Sequence, residues 1–61
     1  MPMIIVKMIE GRTIEQKRQL VREITDVVAR VAGISEDQVD VIIEDYPKHD
    51  WAKAGVLFSD K

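Results

Sequence analysis

Sixty-one residues carrying nine basic and eleven acidic side chains, one histidine and no cysteine make a short, mixed-charge chain of formal charge -2. A single domain, residues 1–61, is all this length permits, and a domain of this size buries only about 60% of the surface its unfolded chain exposes, so it ordinarily needs cross-links, a metal or partner chains. Disulfides are excluded, the lone His49 cannot build a zinc site within one chain, and no acidic run has calcium-loop spacing, which leaves self-association as the remedy.

Other partners are disfavoured on the same grounds. No basic stripe with interleaved aromatics is present for nucleic acid. No charged-then-apolar leader precedes the first apolar stretch, and no apolar run approaches the roughly 20 residues of a membrane helix, so the expected compartment is the cytoplasm.

Met3 to Ile9 alternates as a strand, with Ile4, Val6 and Met8 on one face and Met3, Ile5, Lys7 and Ile9 on the other. Both faces are largely apolar, the pattern of a strand covered on two sides. The chain offers one long helix as cover, so a second copy is expected to supply the other. Pro2 stands immediately before this strand. Once Met1 is removed, its nitrogen becomes a secondary amine able to take and give a proton; with Met1 attached it is an amide with no lone pair to use.

Glu10-Gly11-Arg12-Thr13 hands the strand over to a helix. Thr13 and Gln16 have the spacing of a reciprocal capping box. Arg12 lies just outside the helix start, where the macrodipole does not favour a cation, and reads either as a ligand-binding side chain or as a solvated loop charge. From Ile14 the residues Leu20, Val21, Ile24, Val27, Val28 and Val31 recur at three- and four-residue steps, which predicts an amphipathic helix with a charged outer face. Asp26 and Arg30, one turn apart with the acid first, are expected to pair on that face. Gly33 is the expected left-handed terminator, and Ser35 with Gln38 repeats the capping-box spacing over a short turn.

Val39 to Asp45 is the second expected strand, with Val39, Val41 and Ile43 inside and Asp40, Ile42 and Glu44 outside. Strand, crossover helix and strand predict a right-handed βαβ unit with parallel strands, and two strands with open edges call for completion by a neighbouring chain. Pro47 ends the regular structure. A loop from Tyr46 to Ala54 carries His49, read as solvent-facing, and Trp51, which reads either as an anchor or ligand wall or as a lid over the chain's own core. Gly55 to Phe58 resembles one arm of a small hairpin, and the fold class is α+β.

The proline-led strand ending in Glu10-Gly11-Arg12, followed by Glu15-Gln16-Lys17, Arg22-Glu23, Val41-Ile42-Ile43-Glu44 and the Trp51–Gly55 stretch, resembles the small 4-oxalocrotonate tautomerase family over nearly the whole chain. The resemblance implies a cofactor-independent isomerase in which Pro2 is general base and then general acid in keto–enol proton transfer on a small molecule. It further implies that Arg12 binds a substrate carboxylate in a site shared between chains, that Trp51 is an apolar pocket wall, and that the protein assembles as dimers and as hexamers built from three dimers. One departure is visible: the family's diacid-converting members carry a second arginine on the second strand, where this chain has Asp40. That position puts the classical dicarboxylate substrate in question, and Asp40 reads first as a residue pairing with a base across an interface and second as part of the site. Two further functional classes stand beside the tautomerase: a hydratase or dehalogenase of unsaturated acids using the same amine, and a non-catalytic oligomeric module.

Overall fold

A computed structural model describes residues 1–61 of the chain. Strand β1 (Met3–Ile9) is followed by helix α1 (Ile14–Ala32) and a 3-10 turn (Glu36–Gln38). Strand β2 (Asp40–Tyr46) leads to a second 3-10 turn (Lys48–Asp50), the two-residue strands β3 (Ala52–Lys53) and β4 (Val56–Leu57), and a last 3-10 turn (Phe58–Asp60). β1 and β2 pair in parallel with Met3 opposite Asp40 and Ile9 opposite Tyr46, while β3 and β4 form an antiparallel hairpin. The βαβ unit is the one the hydrophobic periodicity predicts, and a C-terminal hairpin follows it.

Local chemistry sets the element ends. Gly11 has φ +125°, a conformation side chains rarely adopt, and turns the chain between β1 and the helix. The capping box is complete: the Thr13 hydroxyl accepts from the Gln16 amide at 3.1 Å, and the Gln16 side chain accepts from the Thr13 amide at 2.9 Å. Gly33, left-handed, closes the helix by donating its N–H to the Ala29 carbonyl.

Four expectations are corrected. Asp26 pairs with Arg22 at 2.8 Å, not with Arg30, because Arg22 also reaches Glu36 in the turn beyond the helix and is fixed between the two acids. Ser35 makes no capping bond; its hydroxyl donates to Asp37 instead. β2 runs one residue later than Val39–Asp45, since the Glu10 amide donates to the Tyr46 carbonyl at 2.8 Å and prolongs the ladder. The hairpin takes two residues from inside the expected loop, turning at Ala54 and Gly55, both at positive φ, as a tight two-residue turn requires.

Taken alone, the chain has almost no interior. Ala29 is the one buried residue. The radius of gyration is 14.5 Å, with extents of 43 × 23 × 13 Å, whereas a compact domain of this length would have a radius of about 10.5 Å. Its accessible surface of 4648 Å² likewise exceeds the roughly 4,000 Å² expected for a folded monomer of this mass. α1 covers the face carrying Ile4, Val6 and Met8, all half-buried. On the opposite face Met3, Ile5 and Ile42 are 58, 49 and 41% exposed. The two-faced apolar pattern of β1 therefore outruns the cover this chain provides. No helix is long and apolar enough to cross a membrane.

Candidate active site

The parallel register distributes the expected site residues between the two ends of one sheet. Pro2 lies at the end where both strands begin. Its carbonyl accepts from the Asp40 amide at 3.1 Å, which pins the residue to β2, while its nitrogen carries the exposed Met1. In this form the nitrogen is an amide and has no basicity; residue 2 offers a basic amine only in the chain without Met1.

Arg12 lies past the other end of β1. Seven strand residues at about 3.3 Å each separate the two ends by roughly 23 Å. Arg12 has no ion-pair partner, and it lines a cleft of about 260 Å³ with Met8, Gln16, Lys17 and Leu20. Lys17, the other cation there, is held by Asp45 of β2, so Arg12 is the free charge of the cleft. An unpaired guanidinium beside an apolar floor has the geometry to take a carboxylate in a two-pronged contact.

Trp51 shares Arg12's end of the sheet, because it follows the last residue of β2. Its ring meets Tyr46 edge-on, with centroids 6.0 Å apart, and lies tilted against Phe58 at 6.4 Å. The Phe58 amide donates to the Trp51 carbonyl at 2.8 Å and closes the hairpin over this cluster. The lid reading of Trp51 thus describes its surroundings within one chain, and it does not line the Arg12 cleft. Pro2, Arg12 and Trp51 are not brought into one pocket by a single chain; Arg12 and Trp51 lie at one end, Pro2 and Asp40 at the other.

Sequence reading missed two features nearby. Tyr46 donates its hydroxyl to Glu44 at 2.6 Å on the uncovered face, and this bond, with some burial and the neighbouring negative charge, holds the phenol above its ordinary pKa. Tyr46 and Phe58 also complete the aromatic cluster; the signal for the bond was the i, i+2 spacing of Glu44 and Tyr46, which places both side chains on one face of a strand. Arg22 is raised above the ordinary guanidinium value by its bonds to Glu36 and Asp26. His49 is solvent-facing, and no three metal-ligating side chains converge in the chain.

The chain is thus a strand-led βαβ unit that leaves one face of its sheet uncovered, with a proline before the first strand and an arginine without an ion-pair partner after it. The family model described as tautomerase enzyme matches residues 2–61, and the chain belongs to that family. It is 48% identical over 60 residues to the 2-hydroxymuconate tautomerase of Bacillus subtilis, covering 98% of this chain and 97% of the relative. The crystal structure of a 4-oxalocrotonate tautomerase homologue superposes with a TM-score of 0.96 at 43% identity, covering 100% of this chain and 97% of that one. A heterohexameric 4-oxalocrotonate tautomerase from Chloroflexus aurantiacus matches at a TM-score of 0.93 and 28% identity, over 98% and 97% of the two chains. The protein is a tautomerase, an isomerase by reaction class.

Proposed function

We propose that the chain catalyses keto–enol proton transfer on a small, carboxylate-bearing unsaturated acid, with the Pro2 nitrogen carrying the proton. The amine, freed by removal of Met1, takes the enol hydroxyl proton; the ammonium so formed delivers a proton to carbon, giving the ketone and regenerating the amine. The observation that carries this reading is the anchoring of Pro2: its carbonyl is fixed on β2 while only Met1 occupies its nitrogen. An ordinary α-amino group titrates at about 7.7 to 8.0. A nearby guanidinium and apolar surroundings lower that value, leaving both forms available at neutral pH.

Arg12 holds the substrate carboxylate and Trp51 supplies apolar surface beside it. Since both lie about a strand's length from Pro2 of the same chain, the working site joins Pro2 of one subunit to Arg12 and Trp51 of others. The uncovered face of Met3, Ile5 and Ile42 supports homo-oligomerisation; the assembly proposed is a trimer of dimers, and the heterohexameric relative from Chloroflexus aurantiacus is in keeping with six subunits. Ketonisation of phenylenolpyruvate and 2-hydroxymuconate by wild type and Pro2→Ala tests the proposal. Loss of general acid–base catalysis is expected to lower the rate by at least about 100-fold, and undiminished activity removes Pro2 from the mechanism.

A further inference from the structure

We infer that the ion pair between Lys17 and Asp45 sets the charge of the Arg12 cleft, leaving a single net positive charge there and so fixing how tightly a carboxylate is held; this rests on the reading of Arg12 as the carboxylate anchor. Met8 and Leu20 are the apolar lining of the cleft, and Arg12, Gln16 and Lys17 the polar lining. Gln16 and Lys17 stand four and three residues before Leu20 on α1, so one face of the helix presents all three. Asp45 comes from the sheet. It stands opposite Met8 in the parallel register, on the same face of β2 as the half-buried Val41 and Ile43.

Within the cleft Arg12 is the one charge without a partner. Lys17 is bonded to Asp45, and the two side chains are only 25 and 31% exposed. Gln16 is committed to the capping box, its side-chain oxygen accepting from the Thr13 amide. Glu15, beside it on the helix, pairs with Arg18. Glu10, Lys48 and the His49–Asp50 pair lie toward the same end of the sheet without lining the cleft.

The effect of the pair on a bound anion follows from sign. Arg12 and Lys17 are positive and Asp45 is negative, which leaves one positive charge in excess. Removing Asp45 raises that excess, removing Lys17 abolishes it, and removing both restores it. A cleft of about 260 Å³ has a width comparable to the Debye length of about 8 Å at physiological salt, so a carboxylate on Arg12 feels each change. A pair that served only to tie α1 to β2 would behave otherwise: it is broken equally in both single variants and in the double one, so all three would shift binding in one direction.

The test measures the Kd of the assembled protein for cinnamate, a monocarboxylate with no tautomerisable group, by calorimetry in wild type, Asp45→Asn, Lys17→Gln, the double variant and Arg12→Ala. A unit charge about 7 Å from a carboxylate in a water-like medium changes its affinity about threefold. Asp45→Asn is therefore expected to bind about threefold more tightly than wild type, Lys17→Gln about threefold more weakly, and the double variant as wild type does. Both shifts should shrink in 1 M salt, where the Debye length is about 3 Å. Single variants that move in the same direction or leave Kd unchanged overturn the inference, and so does a double variant that binds no better than Lys17→Gln. Failure of the anchor reading is seen separately, as Arg12→Ala binding cinnamate as tightly as wild type, which overturns both. No turnover is measured, so the outcome is independent of Pro2.

Discussion

The proposed division of the site between subunits makes a quantitative prediction when two impaired proteins are combined. In the proposed site, Pro2→Ala removes the proton carrier, and Arg12→Ala removes a charge-assisted, two-pronged carboxylate contact worth about 1.5–3 kcal/mol, or roughly 10- to 100-fold in kcat/KM. Within one chain the two residues lie at opposite ends of β1, roughly 23 Å apart by strand geometry. A mixed assembly therefore contains sites that draw an intact Pro2 from an Arg12→Ala chain and an intact Arg12 from a Pro2→Ala chain. With equal amounts and random association, each residue is intact in half of the draws, so about one site in four is whole in a symmetric assembly. Co-expressed or co-refolded mixtures should recover about a quarter of wild-type activity toward phenylenolpyruvate, while each variant alone stays low. If Pro2 and Arg12 served a site within one chain, no whole site could form, and a mixture no more active than the sum of its separate components would refute the reasoning.

Two further outcomes follow from the uncovered face of the sheet. Ile5 is about half exposed in the single chain, and completing its burial contributes roughly 1 kcal/mol per subunit; Ile5→Asp instead asks the interface to bury an unpaired carboxylate, so light scattering after size exclusion should show smaller species than wild type, and an unchanged mass would place the interface elsewhere. Tyr46 is the single tyrosine, so tyrosinate absorbance reports it alone; with its bond to Glu44 raising the pKa, it should titrate above the ordinary value of about 10, and Glu44→Gln should bring it down. The sign follows: the folded state favours the protonated phenol, so this contribution is whole below the unfolded pKa and disappears as pH rises through the folded one.

Much of the fold was legible because its determinants are local. The three- and four-residue apolar steps give α1, Thr13 with Gln16 fixes its start, and Gly33 fixes its end. The apolar character of both faces of β1 pointed to a missing cover, and Met3, Ile5 and Ile42 are indeed left uncovered. Long-range competition defeated the rest. Asp26 has an arginine one turn away on each side, and the acid-first rule favours Arg30; Glu36, beyond the helix, draws Arg22 into the shared pair instead. The hairpin was placed late because its turn is Ala54-Gly55, and alanine at positive φ leaves a weaker signature than asparagine or aspartate before glycine. For the site, the resemblance named Pro2, Arg12 and Trp51, but a one-dimensional reading could not show that the parallel strands set Pro2 beside Asp40 at one end and leave Arg12 and Trp51 at the other, outside any shared pocket.

The central claim, that an unblocked Pro2 nitrogen carries the proton, is tested most directly by preparing two forms of the protein, one beginning at Pro2 and one retaining Met1, each verified by intact mass. Ketonisation of phenylenolpyruvate should proceed in the first form and fall by at least about 100-fold in the second, whose residue-2 nitrogen is an amide. Equal rates in the two forms would contradict the account.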